Sequence, residues 1–257
     1  MGTFLFNEII FGPVKSRRLG NSLGINVLPV DCKECNFDCI YCECGWTYKK
    51  KSKKLIPASE IESALFEKLK SLKSQNIPVD NITFAGNGEP TMHPEFDTII
   101  DFTIRLRDEF FKSAEIAVLS NSTMIHNNRI FNALKKVEKN ILKLDSANEE
   151  TIKILNKPFT GFNVNDTIKN LKRFNGNFIL QTMFVKGEFE GKTFDNTTDE
   201  EVRAWLSLLK EIKPKQVMIY TIKRDTPIES IFSIPLKELE KIAAMVQKTG
   251  IEVLVSD

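Results

Sequence analysis

The chain has 257 residues, a net charge of +2, 42% hydrophobic and 27% charged residues. That is enough apolar material for a sizeable core and too little charge to announce a polyanionic partner. No apolar run is long enough to span a bilayer, the first residues lack the basic and long apolar stretches of a secretory leader, and the length suits one α/β domain over 1–257.

The first strand-like run is residues 24–30, and it leads into a cysteine-dense loop at 32–44. All five cysteines (Cys32, Cys35, Cys39, Cys42 and Cys44) fall within 13 residues. Such clustering argues against a disulfide framework and for a reducing, hence cytoplasmic, compartment. The Asn-x-Ser/Thr triplets at Asn81, Asn121 and Asn196 are then chance matches. Cys35, Cys39 and Cys42 have the spacing C-x3-C-x2-C. Four thiolates normally fill a [4Fe–4S] cluster, so three leave one iron for a small molecule. A structural zinc site would use two separated pairs, but no cysteine follows Cys44, and His93 and His126 lack ligand spacing. Two other readings stand beside the cluster: Cys32, Cys35, Cys39 and Cys42 holding one zinc, or Cys32 and Cys35 acting as a redox dithiol. Cys32 and Cys44 read as bystander thiols or as extra ligands. A lysine run at 49–54 follows, a solvated loop or a local phosphate-binding patch.

Further along, strand-like runs at 81–85, 115–120, 140–145, 177–183, 216–221 and 251–255 alternate with amphipathic segments. Ser59 and Glu62 read as a capping box for a helix carrying Ile61, Leu65, Leu69 and Leu72, and Thr198 and Glu201 as another before Val202, Trp205 and Leu209. Pro94 opens one helix; Pro235 begins another that Gly250 ends. Strand–helix alternation repeated about six times implies a parallel sheet with right-handed crossovers, open or curled into a barrel. Chemistry in such folds collects at the carboxyl edges of the strands. The cysteine loop, the turn Gly86–Pro90, Ser120 with Asn121, Asp145, Gln181 and Tyr220 all fall at that edge, which is consistent with one shared site.

The cysteine spacing with Tyr41 before its third member, together with the turn Gly88-Glu89-Pro90, resembles the radical S-adenosylmethionine (SAM) superfamily. The resemblance implies a partial (β/α)6 TIM-type barrel, one [4Fe–4S] cluster ligated by Cys35, Cys39 and Cys42, and SAM chelated at the open iron. It further implies reductive cleavage of SAM to a 5′-deoxyadenosyl radical, with a one-electron donor such as flavodoxin or ferredoxin. Glu89 is the implied acceptor for the SAM ammonium, or else an acid that caps the following helix. Gly86 and Gly88 let the backbone approach the ligand. Asn87 stands where the family has its first glycine, and Asn tolerates positive φ second best. Tyr41 is implied to present its backbone to the adenine edge, or else simply packs under the cluster, and Ser120 and Asn121 are implied to touch the ribose and carboxylate. Asp145 would bond the ribose or substrate, or cap a helix at 147–155.

Residues 11–20, 22–24, 86–94, 181–184 and 217–224 also resemble wyosine-synthase-like radical SAM proteins, with Lys15 in place of the usual proline and Lys223 in place of aspartate. Those enzymes rebuild a tRNA base and carry further N-terminal cysteines, which are missing before Cys32 here. The resemblance leaves a tRNA base, a nucleotide or a partner protein as substrate. Arg17, Arg18, Gln181, Tyr220 and Arg224 are the substrate-side candidates, with a salt-bridge network as the alternative for the arginines.

Overall fold

A computed structural model describes residues 4–16, 19–47, 54–159 and 161–256. Arg17, Arg18 and all of the lysine run except Lys54 lie outside them. The strands are β1 (Ile10–Ser16), β2 (Gly20–Ile25), β3 (Asn81–Phe84), β4 (Glu115–Ser120), β5 (Lys139–Lys143), β6 (Ile179–Met183), β7 (Val185–Phe189), β8 (Lys192–Asp195), β9 (Gln216–Tyr220), β10 (Ile231–Ser233) and β11 (Glu252–Ser256). The helices are α1 (Ala58–Ser74), α2 (Phe96–Phe110), α3 (Asn128–Leu134), α4 (Glu149–Asn156), α5 (Val164–Lys172), α6 (Asp199–Ile212) and α7 (Leu236–Gln247), with a 3-10 turn at Pro90–Met92.

The main sheet has the order β1-β2-β3-β4-β5-β6-β9-β11. β1 pairs antiparallel with β2, and every other neighbouring pair is parallel. The sheet curls into a half-barrel, the partial TIM barrel expected from the sequence. β10, β7 and β8 form a separate antiparallel sheet.

Three apolar layers follow from the strand alternation. Leu142, Leu180, Val217 and Ile219 turn outward into the large core shared with the helices, which also holds Phe96, Leu65, Trp205 and Leu239. Ala117, Ile141, Ile179 and Met218 turn inward and fill the barrel with Leu19. Above them a third cluster gathers Phe37, Cys39, Ile40, Tyr41, Leu155 and Met183 under the cysteine loop. Asn81, Asn121 and Asn196 are all buried, so the folded chain offers none of these three for glycosylation.

Several local expectations are corrected. The first parallel strand is Gly20–Ile25, not 24–30. It starts early because it pairs with β1, and it stops because Asn26 Oδ1 takes the Leu28 N–H at 3.3 Å while Pro29 has none to give. The capping box at Ser59 does not form: Ser59 lies inside α1, Pro57 is the cap, and Glu95 of the neighbouring chain segment accepts the Ala58 N–H at 3.4 Å. Glu62 instead pairs with Arg105 on α2. Only half of the second box holds. Thr198 accepts from the Glu201 N–H at 3.4 Å, but the Glu201 carboxylate reaches Ser146 at 2.6 Å and Thr151 at 2.6 Å.

Candidate functional site

The cysteine loop leaves β2 and is held from two sides by main-chain pairing. Glu34 N–H donates to Asn87 O at 2.8 Å, and Glu89 N–H donates to Glu34 O at 3.0 Å. The turn after β3 therefore packs on the residue just before Cys35. On the other side the end of α4 and the stretch after it run alongside: Ile40 N–H bonds Leu155 O at 3.0 Å, and Phe159 N–H bonds Asn36 O at 3.0 Å. Gly88 has φ +136°, and a β-carbon there would stand 1.8 Å from Glu34 O. Only glycine allows so close an approach of the two backbones. Positive φ thus falls at Gly88 and not at Asn87. The Asn87 side chain turns away into the N-terminal segment, bonding Phe6 N–H and Phe6 O at 2.8 Å each and Pro29 O at 2.9 Å.

Each candidate ligand thiol meets donors. Cys35 Sγ accepts from Phe37 N–H at 3.4 Å and Asn121 Nδ2 at 3.7 Å. Cys39 Sγ accepts from Lys143 Nζ at 3.3 Å and Asn156 Nδ2 at 3.5 Å. The Cys44 thiol lies within hydrogen-bond reach of both Cys42 and Gly86 O, the latter at 3.4 Å. Burial pushes the Cys35 thiol up to about 12, whereas the Cys44 hydrogen bond draws Cys42 down to about 6. Lys33 is buried in the loop, bonded to Gly45 O at 2.8 Å and paired with Asp38 at 3.2 Å. Burial alone would lower its pKa, but the neighbouring Cys42, Cys35 and Cys39, with Asp38, outweigh this and hold it above the ordinary lysine value. A nest of N–H donors and buried cations suits thiolates that carry a metal cluster. Among the described residues no three His, Cys, Asp or Glu side chains converge to hold a single ion.

The Glu89 carboxylate is buried and occupied. Oε2 accepts the Asn121 N–H at 2.6 Å, and Oε1 accepts the Thr91 N–H at 3.1 Å and the Thr91 hydroxyl. Ser120 donates as well. Glu89 thus caps the 3-10 turn and ties the end of β3 to the end of β4. Burial raises its pKa, and the Asn121 and Thr91 donors oppose the rise. Asn121 continues the web, with Nδ2 on Asn36 Oδ1 at 2.7 Å.

Asp145 does not cap α4, whose cap is Asn148. Its buried carboxylate accepts the Tyr41 hydroxyl, Asn156 Nδ2 at 2.7 Å and Met183 N–H at 2.9 Å, and Lys143 Nζ lies 3.4 Å away. Sequence reading had not singled out Lys143, Asn156 or Lys33. The one available signal was Lys143 itself, a charge inside an apolar strand run. Burial would lower the Lys143 pKa, but Asp145, Cys39 and Tyr220 overcome this and raise it. Gln181 is the register partner of Lys143 and is also buried. Tyr220, one strand further, packs in the cluster beneath the cysteines. Arg224 is not at this centre; it is exposed and pairs with Glu43 at 2.6 Å. His93 bonds Ile56 O at 2.9 Å and plays no part in the site. A cavity of about 420 Å³ borders the loop at Asn36 and Phe37 and is lined further by Thr123, His126, Phe162 and Asn163.

The sequence model of the radical SAM superfamily matches residues 31–199, from the cysteine loop to the start of α6. The chain belongs to the radical SAM superfamily. Radical SAM proteins use a [4Fe–4S] cluster and SAM. A radical SAM methyltransferase from Sphaerobacter thermophilus superposes with TM-score 0.66 at 15% identity, over 91% of this chain and 65% of that one. A structure of anSMEcpe with bound AdoMet superposes with TM-score 0.57 at 18% identity, over 91% and 63%. Among curated proteins, a UPF0026 protein of Methanocaldococcus jannaschii is 29% identical over 92% of this chain and 70% of its own length. A Brachyspira hyodysenteriae protein named GTPase Obg is 30% identical over 90% of this chain, which spans only 32% of that protein. Gly191-Lys192-Thr193, the run here nearest a phosphate loop, turns from β7 into β8, whereas such a loop runs from a strand into a helix. Among the described residues no helix is long and apolar enough to cross a membrane.

Proposed function

We propose that this chain is a one-cluster radical SAM enzyme in which Cys35, Cys39 and Cys42 each hold one iron and the fourth iron is left for SAM. The observation that carries this reading is the direct pairing of the cysteine loop with the Gly88-Glu89 turn through Glu34, which puts ligand loop and acid within one unit. When bound, cluster and SAM supply one-electron cleavage of the 5′-carbon–sulfur bond, giving methionine and a 5′-deoxyadenosyl radical that takes hydrogen from a substrate carbon.

The chain's own residues bind and exclude. Glu89, fixed by its donors, supplies a buried negative charge that draws the SAM ammonium to the turn; its charge is also felt at Cys35. Gly86 and Gly88 keep side chains out of the approach. Ser120 and Asn121 hold Glu89 and border the ligand. Tyr41 is locked by Asp145 and Asn156 (2.8 Å from its hydroxyl), so that its main chain stays fixed beside Cys42. Gln181 and Tyr220 face the substrate from the carboxyl ends of β6 and β9. The narrower wyosine-synthase-like resemblance leaves a tRNA base, a nucleotide or a partner protein as substrate, with flavodoxin or ferredoxin as electron donor.

The test is anaerobic reconstitution followed by dithionite and SAM. About four irons and four sulfides per chain and release of 5′-deoxyadenosine are expected. Glu89→Ala should keep the cluster and weaken SAM binding, and normal SAM affinity in that variant would refute the role given to Glu89. Zinc in place of iron would remove the whole reading.

A further inference from the structure

The inner face of the barrel changes character along its axis. Ile141 and Ile179 pair in an apolar layer, and two residues further on Lys143 and Gln181 pair in their place as polar groups just below the cysteines. Lys143 is the charged member. Its ammonium touches Cys39 Sγ at 3.3 Å, Asp145 Oδ2 at 3.4 Å and the face of the Tyr41 ring at 4.5 Å. Lys33, a second cation near the cysteines and more deeply buried, is tied instead to Gly45 O and Asp38. The donors on Cys35 are neutral amides. Cys39 therefore differs from Cys35 in having an ammonium in direct hydrogen-bond contact with its sulfur, whereas Lys33 acts on Cys35 through space.

Stability does not ask for this arrangement. Burying an ion pair costs several kcal/mol of desolvation per ion, and well-packed apolar side chains often serve as well or better. The Lys143–Asp145 pair lies against Tyr41 and Met183 of the third apolar cluster. What a fixed cation on a ligand sulfur does alter is the redox balance. A reduced cluster carries one more negative charge than the oxidised one, and nearby charge and hydrogen bonds to sulfur set its potential.

We propose that Lys143 is a positioning residue whose ammonium, held on Cys39 by Asp145, raises the reduction potential of the cluster and so eases its one-electron reduction by the external donor. The assignment rests on reading Cys39 as a cluster ligand. Asp145 has two parts in it: it holds Lys143 and the Tyr41 hydroxyl in place, and its own negative charge limits the rise. The reaction concerned is transfer of one electron from a flavin- or iron–sulfur-type donor to the oxidised cluster, with no bond made or broken in the protein.

The test is an EPR-monitored redox titration with dithionite on anaerobically reconstituted protein, together with iron and sulfide counts. Lys143→Gln should assemble a full cluster whose midpoint is shifted to more negative potential. Lys143→Arg should stay near wild type. Lys143→Met should shift the midpoint in the same direction as Lys143→Gln. A full cluster with an unchanged or more positive midpoint in Lys143→Gln overturns the proposal. Should Lys143→Gln fail to take up iron, Lys143→Met decides by the same sign. If wild type itself assembles no [4Fe–4S] cluster, the ligand reading has failed and the proposal falls with it.

Discussion

Cys35 and Cys42 belong to one short loop yet meet opposite surroundings. Burial holds Cys35 protonated up to about 12, while Cys44 draws Cys42 to about 6. In metal-free protein the Cys42 thiol is the more acidic of the two, and thiolates are what alkylate. Iodoacetamide labelling read by peptide mass at neutral pH should modify Cys42 faster than Cys35; equal rates would contradict the assignment. Once iron is bound, Cys39→Ala should abolish both the brown colour and SAM cleavage. Cys44→Ala should keep both, because Cys44 is given no iron. Gly88→Ala is expected to be costly for a different reason. A methyl group at φ +136° and 1.8 Å from Glu34 O forces the turn off the loop, and a loss of about 2 kcal/mol or more is expected in urea unfolding.

Among the elements, the β7–β8 hairpin is followed by Asn196, a side chain that fastens it to the site. Asn196 accepts the Val185 N–H at 2.8 Å and donates to Asp145 O at 2.9 Å and Met183 O at 2.8 Å. Asn196→Ala leaves buried groups unpaired and should cost about 1–3 kcal/mol in a denaturant titration; a change within error would mean that water or another group takes over. This fastening was not legible beforehand. The sequence reading took Asn196 only as part of a triplet, because a partner set made of distant backbone groups leaves no local pattern. The parallel strands β3, β4, β5, β6, β9 and β11 were legible, since β-branched runs between capped helices announce them. β1 was hidden by Gly12 and Pro13, and a register shift between Phe11 and Val14 accommodates them. The cysteines, Tyr41 and Glu89 were found by spacing. Lys143 and Asn156 were missed because their role depends on which way a strand and a helix end face, and that is fixed only by tertiary packing.

Across the whole molecule, the curled sheet brings the ends of β2, β3, β4 and β5 around the same loop. Residues far apart in the chain meet there: Asn121 at Cys35, and Lys143 and Asn156 at Cys39. All of them serve one claim, that the protein ligates three irons and leaves the fourth open. Electron–nuclear double resonance on the reduced wild-type cluster tests it most directly, using SAM labelled with nitrogen-15 in its amino group and oxygen-17 in its carboxylate. Hyperfine coupling from both labels to the cluster is the expected result. A reduced [4Fe–4S] cluster that binds SAM without either coupling, or one whose iron count falls in Cys44→Ala or Cys32→Ala, would show a corner already sealed by the protein and contradict the account.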